Sequence, residues 1–505
     1  MAFASPSAGE RGLTGMSIAA PAEAGRTLLH GSLWMIGLRW GLRCLGLVNT
    51  LILARLLTPG DFGLVAMAML VIGLVEVFGQ TGQLLALIRY PQPTRAHYDS
   101  VWTLTMIIAV VLTAVIWLVA PLAPLYFHEP RATGLIQVLA LRTLVGGFEN
   151  VGVVAFRKNL QFAKEFRYQL LQRVVTVLAT VVCAVWLRDY RALAAGILLG
   201  RALSVGISYL VHPYRPRLCV SRISELLSFS SWMLVVHVAQ YFDDNGDQMV
   251  VGGVGSLAAM GSYNVASDVA TAPTIEVALP VARALFPVFA RMSGDVAAMR
   301  AAYLDLFASM ALIGIAIGGG IALVADDFIL LVLGPQWTAA VPLVRLLAIA
   351  GAAYALMHSG LTVLGAVGQA RLSAVLTTTR AAVALLALVA AGLLGSVWTI
   401  ALVRMLVTLA FIPGIFLALS RVLPVTPADM LARVWRPLAA AVVMAAVVGS
   451  VHAAAPAMPP LRLALEVTAG AATYTAVVLG LWRLAGAPAG LEASVLARLR
   501  TGLGR

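Results

Sequence analysis

Between Gly31 and Trp482 the chain is a succession of apolar runs, each close to the roughly 20 residues that carry an α-helix across a bilayer, separated by short connections that often hold arginine. This layout limits the fold more than any motif. With 61% hydrophobic and 11% charged residues and a mean hydropathy of +0.93, the sequence has far more apolar surface than a water-soluble core can bury. Helices in lipid meet every backbone hydrogen bond internally, so an all-α integral membrane protein is expected. Using span length as the ruler, about fourteen transmembrane helices are expected. Their limits are 32–54, 62–85, 101–123, 134–155, 168–187, 191–212, 228–251, 257–281, 303–324, 342–364, 372–393, 396–419, 434–453 and 462–482. Little chain remains for a soluble domain, which argues against an anchored enzyme.

Residues 1–30 are rich in Ala, Gly and Ser and carry charges of both signs, Glu10, Arg11, Glu23 and Arg26. They read as a disordered tail rather than a cleaved signal peptide, which would lead with a basic segment into a short apolar core. The net charge is +13. Counting loops alternately, one side holds Arg89, Arg95, Arg157, Lys158, Lys164, Arg167, Arg215, Arg217, Arg222 and further arginines. The other side has few, chiefly Arg55, Arg131, Arg188, Arg191 and Arg462. The positive-inside rule then places both termini in the cytoplasm and requires an even number of spans. Cys44, Cys183 and Cys219 form an odd, unpatterned set and read as free structural thiols.

The chain also repeats. An offset of 198 residues aligns Ser32-Leu33-Trp34-Met35 with Ser230-Ser231-Trp232-Met233. In the same register Thr58 meets Ser256, Gly63 meets Gly261 and Ala68 meets Ala266. Six-helix halves, 31–215 and 216–420, are expected as two pseudo-symmetric lobes with a site between them. Residues 421–485 add two helices, and 486–505 a cytoplasmic tail.

Ionisable groups at membrane depth usually face a cavity or a partner. On the first span Arg39 and Arg43 are four apart and share a face; the offset maps them onto His237 and Tyr241. The seventh span continues through Asp243, Asp244, Asn245 and Asp247. Glu76, Glu149, Arg142, Arg173, Arg201, Asp268, Glu276, Arg345, Arg380 and Arg404 are further polar positions in apolar surroundings. Snorkelling of the arginines to an interface, and solvation of the aspartates at one, are the plainer readings of each position.

No HExxH, no Cys/His ligand spacing, no GxSxG and no GxxxxGK[ST] is present, so no metal and no cofactor is expected. Gly252-Gly253-Val254-Gly255 and Gly318-Gly319-Gly320 read as close-packing positions. Basic loops beside lipid point to membrane lipids rather than nucleic acid as partners.

Four stretches carry a family likeness. They are Ala54-Arg55-Leu56-Leu57-Thr58-Pro59-Gly60-Asp61-Phe62-Gly63, Phe156-Arg157-Lys158-Asn159-Leu160-Gln161-Phe162, the run from Ala282 through Arg283 and Pro287 to Met292, and Leu333-Gly334-Pro335-Gln336-Trp337. With them the chain resembles the polysaccharide-transporter (Wzx-type) branch of the multidrug/oligosaccharidyl-lipid/polysaccharide (MOP) flippase superfamily, from about Ser32 to Ser420. The resemblance implies a non-enzymatic flippase that moves a polyprenyl-diphosphate-linked glycan across the bacterial inner membrane by alternating access. A polymerase and chain-length regulators of the same pathway are the partners it implies.

Arginine suits such cargo, since its planar fork pairs with phosphate and stays charged when partly buried. Arg39 and Arg43 are the expected headgroup contacts, with Arg142, Arg173, His237, Tyr241, Arg345, Arg380 and Arg404 as further cavity candidates. Asp244, Asp247 and Asp268 are candidates for coupling or gating. A peptidoglycan-precursor flippase and a multidrug/cation antiporter share the superfamily and remain alternatives. A glycan polymerase or ligase would need catalytic groups in a large outward loop, and the loops here are short.

Overall fold

The computed structural model describes residue 37, residues 41–43 and residues 45–486 apart from 81, 91, 224–230, 293–294 and 455–457. The expected tails 1–30 and 487–505, the Ser32–Met35 half of the repeat match and Arg39 lie outside the described residues.

Among the described residues the secondary structure is helical throughout. The first half comprises α1 (45–56, with 41–43 also helical), α2 (Pro59–Glu76), α3 (Gln83–Arg89), α4 (Arg95–Val119), α5 (Ala123–Phe127), α6 (Arg131–Gly147), α7 (Val154–Lys158), α8 (Phe162–Leu187) and α9 (Tyr190–Val211). The second half comprises α10 (Ser231–Val254), α11 (Leu257–Arg291), α12 (Val296–Leu323), α13 (Ala325–Phe328), α14 (Val341–Ala366), α15 (Ala370–Leu394) and α16 (Val397–Leu419). A hairpin of α17 (Pro427–Ala454) and α18 (Pro459–Leu484) follows. Among the described residues ten helices are long and apolar enough to cross a membrane, eleven if the bent pair α6–α7 is one span, so the chain is a multi-pass membrane protein. The described parts of the expected spans are largely helical, but α1, α10 and α11 are not among the ten; α10 carries Asp243, Asp244 and Asp247 within it.

Two limits differ from the sequence reading for local reasons. The second span ends at Gly79 rather than running on to 85, because Gly82 takes a left-handed conformation (φ 71°) before α3 restarts. The fourth is bent by 62° between α6 and α7, where Asn150 caps a short turn by accepting the Gly152 N–H at 2.9 Å.

Packing follows chain order. In the first half α8 packs on α9, α9 on α6, and α6 on α4 and α2; in the second α14 is central, against α11, α12 and α16, while α10 lies on α15. The α17–α18 hairpin docks on α12. The broad contact between the halves is α2 against α11.

That contact explains the first family-like stretch residue by residue. Thr58 caps α2, accepting from the Asp61 N–H at 3.3 Å while its own N–H donates to Asp61 Oδ2 at 3.0 Å, and Pro59 supplies the first turn. Gly63 then lets the helices touch backbone to backbone. A Cβ there would collide with the Leu257 carbonyl, and one on Gly261 would collide with the Pro59 carbonyl. Gly63 and Gly261, and Pro59 and Leu257, are each 198 residues apart, so the collisions are reciprocal images under the sequence repeat.

The Leu333–Trp337 stretch locks onto the same place. Gly334 adopts φ 113°, and the wholly buried Trp337 donates its indole N–H to the Ala54 carbonyl at 2.9 Å, as does Gln336 Nε2. Arg55 reciprocates, with Nε on the Val332 carbonyl at 2.8 Å and its other nitrogen on Leu331. Phe62 meets Trp337 edge-on at 5.2 Å. The orphan carbonyls ending α1 are thus satisfied from the other half of the chain.

Gly63→Val is expected to force α2 from α11 at about 1–3 kcal/mol, read as a lower melting temperature of the detergent-solubilised protein. Gly320→Ala, where nothing lies within 4 Å, should leave melting unchanged or raised. Equal losses for both would contradict this account of the contact.

Candidate functional site

The helices of the first half enclose a cavity of about 800 Å³ with an unusually ionic lining, Arg142, Arg157, Arg173 and Arg201 against Glu149 and Glu165. Each carboxylate is taken. Glu149 pairs with Arg201 at 2.9 Å and accepts the Tyr168 hydroxyl at 2.6 Å. Glu165 pairs with Arg157 at 2.6 Å and accepts Gln169 Nε2 at 2.9 Å. Beside them Glu76 of α2 accepts Thr143 Oγ1 at 2.7 Å and lies 3.5 Å from Arg142. Three glutamates are therefore matched with three arginines, and Arg173 is left over. Its Nε is buried with no hydrogen-bond acceptor, and so is the Nε of Arg43. The two guanidiniums are electrostatic neighbours, and Arg43 in turn faces Asp268 of α11.

The local sequence produces this geometry. Glu165, Tyr168, Gln172 and Arg173 fall within one arc of α8, because residues three, four and seven apart share a helix face. Arg173 packs against α1 at Gly46, where a side chain would meet its guanidinium. The bend after Gly147 turns α7 so that Arg157 reaches eight residues onward along the chain to Glu165.

The second half holds a different ionic group. Asp243 of α10 is completely buried and ion-paired with Arg380 of α15, itself 3% exposed. Arg404 of α16 donates to the Asp243 carbonyl at 2.6 Å and lies 3.8 Å from Asp247, which also accepts the Tyr263 hydroxyl of α11 at 2.7 Å. The Arg380 guanidinium stands 5.6 Å over the Tyr354 ring. Two arginines meet two aspartates, so the group is neutral and ties four helices together.

The sequence candidates thus separate. Arg43, Arg142, Arg173 and Asp268 gather at or beside the cavity of the first half. Arg380, Arg404 and Asp247 belong to the buried network of the second. Asp244 turns away from it, exposed, with Gln240 at 3.4 Å. Tyr241 donates to the Leu70 carbonyl of α2 at 2.6 Å, bridging the halves, and His237 lies half-buried one turn earlier. Arg345 pairs with Asp326 on an exposed connection, away from both groups.

Sequence reasoning did not join Arg157, Glu165, Tyr168 and Gln172 to the cavity. The Phe156–Phe162 stretch was the available signal, noted in the sequence only for its family likeness. It also missed a cluster on the α17–α18 hairpin, where Asp327 of α13 is held by both arms of Arg462 and Glu466 accepts from His452 Nδ1 at 2.7 Å. Asp327, His452 and Glu466 have ligand atoms within 4.8 Å of one another. Asp327 already has the Arg462 guanidinium and Glu466 the His452 hydrogen bond, so the set has partners without a metal. Burial works to raise the Asp327 pKa, but the Arg462 hydrogen bonds and charge outweigh it and hold the carboxyl below its ordinary value. A depressed carboxyl stabilises above its unfolded pKa and loses that contribution as pH falls. Arg462→Gln should therefore remove stability at neutral pH and flatten the acid side of the melting curve, measured between about pH 3 and 6.

The fold is an all-helical multi-pass bundle with ionic groups inside it. It matches the structure titled "Lipid II flippase MurJ, inward closed conformation" with a TM-score of 0.72 at 13% identity, covering 90% of this chain and 99% of that one. An inward-facing multidrug resistance MATE family transporter of the MOP superfamily matches at 0.56 and 16% identity, covering 77% and 98%. The sequence profile described as "Polysaccharide biosynthesis protein" matches residues 52–342, and the chain belongs to that family.

Among curated proteins it is 24% identical over 315 residues to the lipopolysaccharide biosynthesis protein WzxC of Escherichia coli K12, covering 61% of this chain and 63% of that one. It is 26% identical over 296 residues to the teichuronic acid biosynthesis protein TuaB of Bacillus subtilis (57% and 60%). The succinoglycan biosynthesis transport protein ExoT of Rhizobium meliloti is 25% identical over 333 residues (65% and 67%). The chain spans about three-fifths of the length of the first curated relatives it matches.

Asp243→Ala should leave Arg380 buried without its counterion and lower stability by about 3–5 kcal/mol, whereas Asp243→Ala with Arg380→Met should cost less than Asp243→Ala or Arg380→Met alone. Melting of the three purified variants tests this; additive losses would show the pair is not coupled.

Proposed function

We propose that this protein is a flippase that carries a polyprenyl-diphosphate-linked oligosaccharide across the bacterial inner membrane for exopolysaccharide, capsule or O-antigen synthesis. The observation that carries the reading is the excess of guanidinium at the first-half cavity, where the Nε atoms of Arg173 and its neighbour Arg43 have no acceptor while Glu76, Glu149 and Glu165 are each paired with another arginine. An anionic diphosphate supplies the missing acceptors through charge-assisted hydrogen bonds, and its polyprenyl chain stays in lipid. Arg39 and Arg142 complete the head-group set. Family membership and the polysaccharide-pathway names of the relatives support the same cargo class.

In this reading fourteen spans form two six-helix lobes, 31–215 and 216–420, with α17–α18 appended, and both termini are cytoplasmic. The lobes rock about the α2–α11 contact, the chain makes and breaks no covalent bond, and a polymerase and chain-length regulators receive the product. Asp268, exposed on the second half and facing Arg43, and the exposed Asp244 are the gating or coupling carboxylates; Asp247 acts through the Arg404 network. A cationic cargo, as in a multidrug antiporter, is disfavoured by the same surplus of arginine. A peptidoglycan-precursor flippase shares the diphosphate chemistry and is separated by complementation of a strain lacking that essential activity.

Arg43→Ala with Arg173→Ala should cut export of the lipid-linked glycan about tenfold or more, since each charge-assisted bond contributes about 1.5–3 kcal/mol, at unchanged protein level. Accumulation of the lipid-linked oligosaccharide on the cytoplasmic face measures it. Normal export at normal abundance would remove the cavity from the mechanism.

A further inference from the structure

Helix α8 has two working faces, and the transport reading uses only one. Opposite the ionic cavity lies a second cleft of about 490 Å³ at the start of α8, formed with α7 and the end of α9. Its polar lining is Asn159, Gln161, Lys164, Arg167, Tyr168 and His212, over Phe156, and among the described residues no carboxylate lines it. Glu165, which would neutralise these cations, points to the other side and is held by Arg157. Lys164 and Arg167 are exposed, and Lys164 stands 6.0 Å over the Phe156 ring. The first turn of a 26-residue helix adds its positive dipole end. His212 Nδ1 accepts the Tyr214 N–H at 3.2 Å, which leaves the ring proton on Nε2 as a donor. Burial, then the neighbouring Arg215 and Lys164 cations, push this imidazole below its ordinary value, so it is neutral near pH 7.

What distinguishes this cleft from a bare basic patch is the strip that leads away from it. At 100° per residue Lys164, Arg167, Leu171, Leu178, Val182 and Val185 fall on one narrow stripe of α8. The two cations come first and four exposed apolar side chains follow, between 45% and 58% accessible. From Arg167 to Val185 is about 27 Å at the rise of an α-helix, close to the bilayer's hydrocarbon thickness of roughly 30 Å. Two positive heads above an apolar track long enough for an acyl chain match an amphiphile and not a free ion.

We propose that this cleft binds the phosphate head of an anionic glycerophospholipid, with an acyl chain along the α8 stripe. Tyr168 borders both cavities, so a lipid seated here buttresses the wall that carries the Glu149–Arg201 pair. The site does not depend on the transport reading, because its residues are separate from Arg43 and Arg173.

The test uses the full chain purified into nanodiscs of zwitterionic lipid, with native mass spectrometry counting retained lipids. Phosphatidylglycerol, undecaprenyl diphosphate and inorganic pyrophosphate are titrated separately. The expected result is saturable retention of phosphatidylglycerol, weakened about tenfold or more in Lys164→Gln/Arg167→Gln, given about 1 kcal/mol for each basic residue near an anionic surface. Arg188→Gln/Arg191→Gln, at the opposite end of the α8–α9 hairpin, should retain the lipid as the parent does. An equal loss in both double variants, retention of undecaprenyl diphosphate alone, or equal binding of free pyrophosphate would each overturn the proposal. Glycan export assayed on the same variants separates this site from the transport cavity: loss of the lipid with export retained upholds the lipid site as a distinct one.

Discussion

A guanidinium keeps its proton when it leaves water, so each arginine inside a helical bundle must find a carboxylate, a carbonyl or a ligand. That requirement organises this molecule. In the second half Arg380 and Arg404 pair with Asp243 and Asp247, although Arg380 Nε and Asp243 Oδ1 have no hydrogen-bond partner. In the first half Arg142, Arg157 and Arg201 each have a glutamate, while Arg142 Nη1 and the Nε atoms of Arg43 and Arg173 are buried without an acceptor. The halves thus differ among the described residues: the second pairs its arginines with aspartates, whereas Arg173 of the first stands at the cavity beside Arg43 rather than against a carboxylate.

The contact between the halves has the opposite character. It is dry, backbone to backbone, and made by glycines, Gly63 against Leu257 and Gly261 against Pro59. Trp337, Gln336 and Arg55 hold it by hydrogen bonds to main-chain carbonyls rather than by ion pairs. Such a joint is specific in position and short-ranged, and the charge it contains, on Arg55, is held on carbonyls rather than on a carboxylate.

Much of this was legible in the sequence. Span length and hydropathy located the helices, and the 198-residue offset pointed at Gly63 and Gly261 before their contact was known. The family-like stretches were recognisable, but their reasons were not: a capping box at Thr58, a left-handed Gly334 and an indole reaching Ala54 are tertiary facts. Intramembrane arginines could be named but not sorted, because pairing depends on which helices are neighbours. Arg380 and Asp243 are 137 residues apart, and no periodicity joins them. The α8 face carrying Glu165, Tyr168 and Gln172 was hidden for a related reason, since the bend at Gly147 that turns Arg157 inward leaves no mark in hydropathy.

The central claim, that Arg43 and Arg173 await a phosphate, is tested most directly by a structure of the purified protein with a bound polyprenyl-diphosphate glycan. The account predicts phosphate density within hydrogen-bond distance of both guanidiniums, with the Asp243–Arg380 pair unbroken. Phosphates seated instead on Arg380 or Arg404, with Arg43 and Arg173 engaged by protein carboxylates, would contradict it.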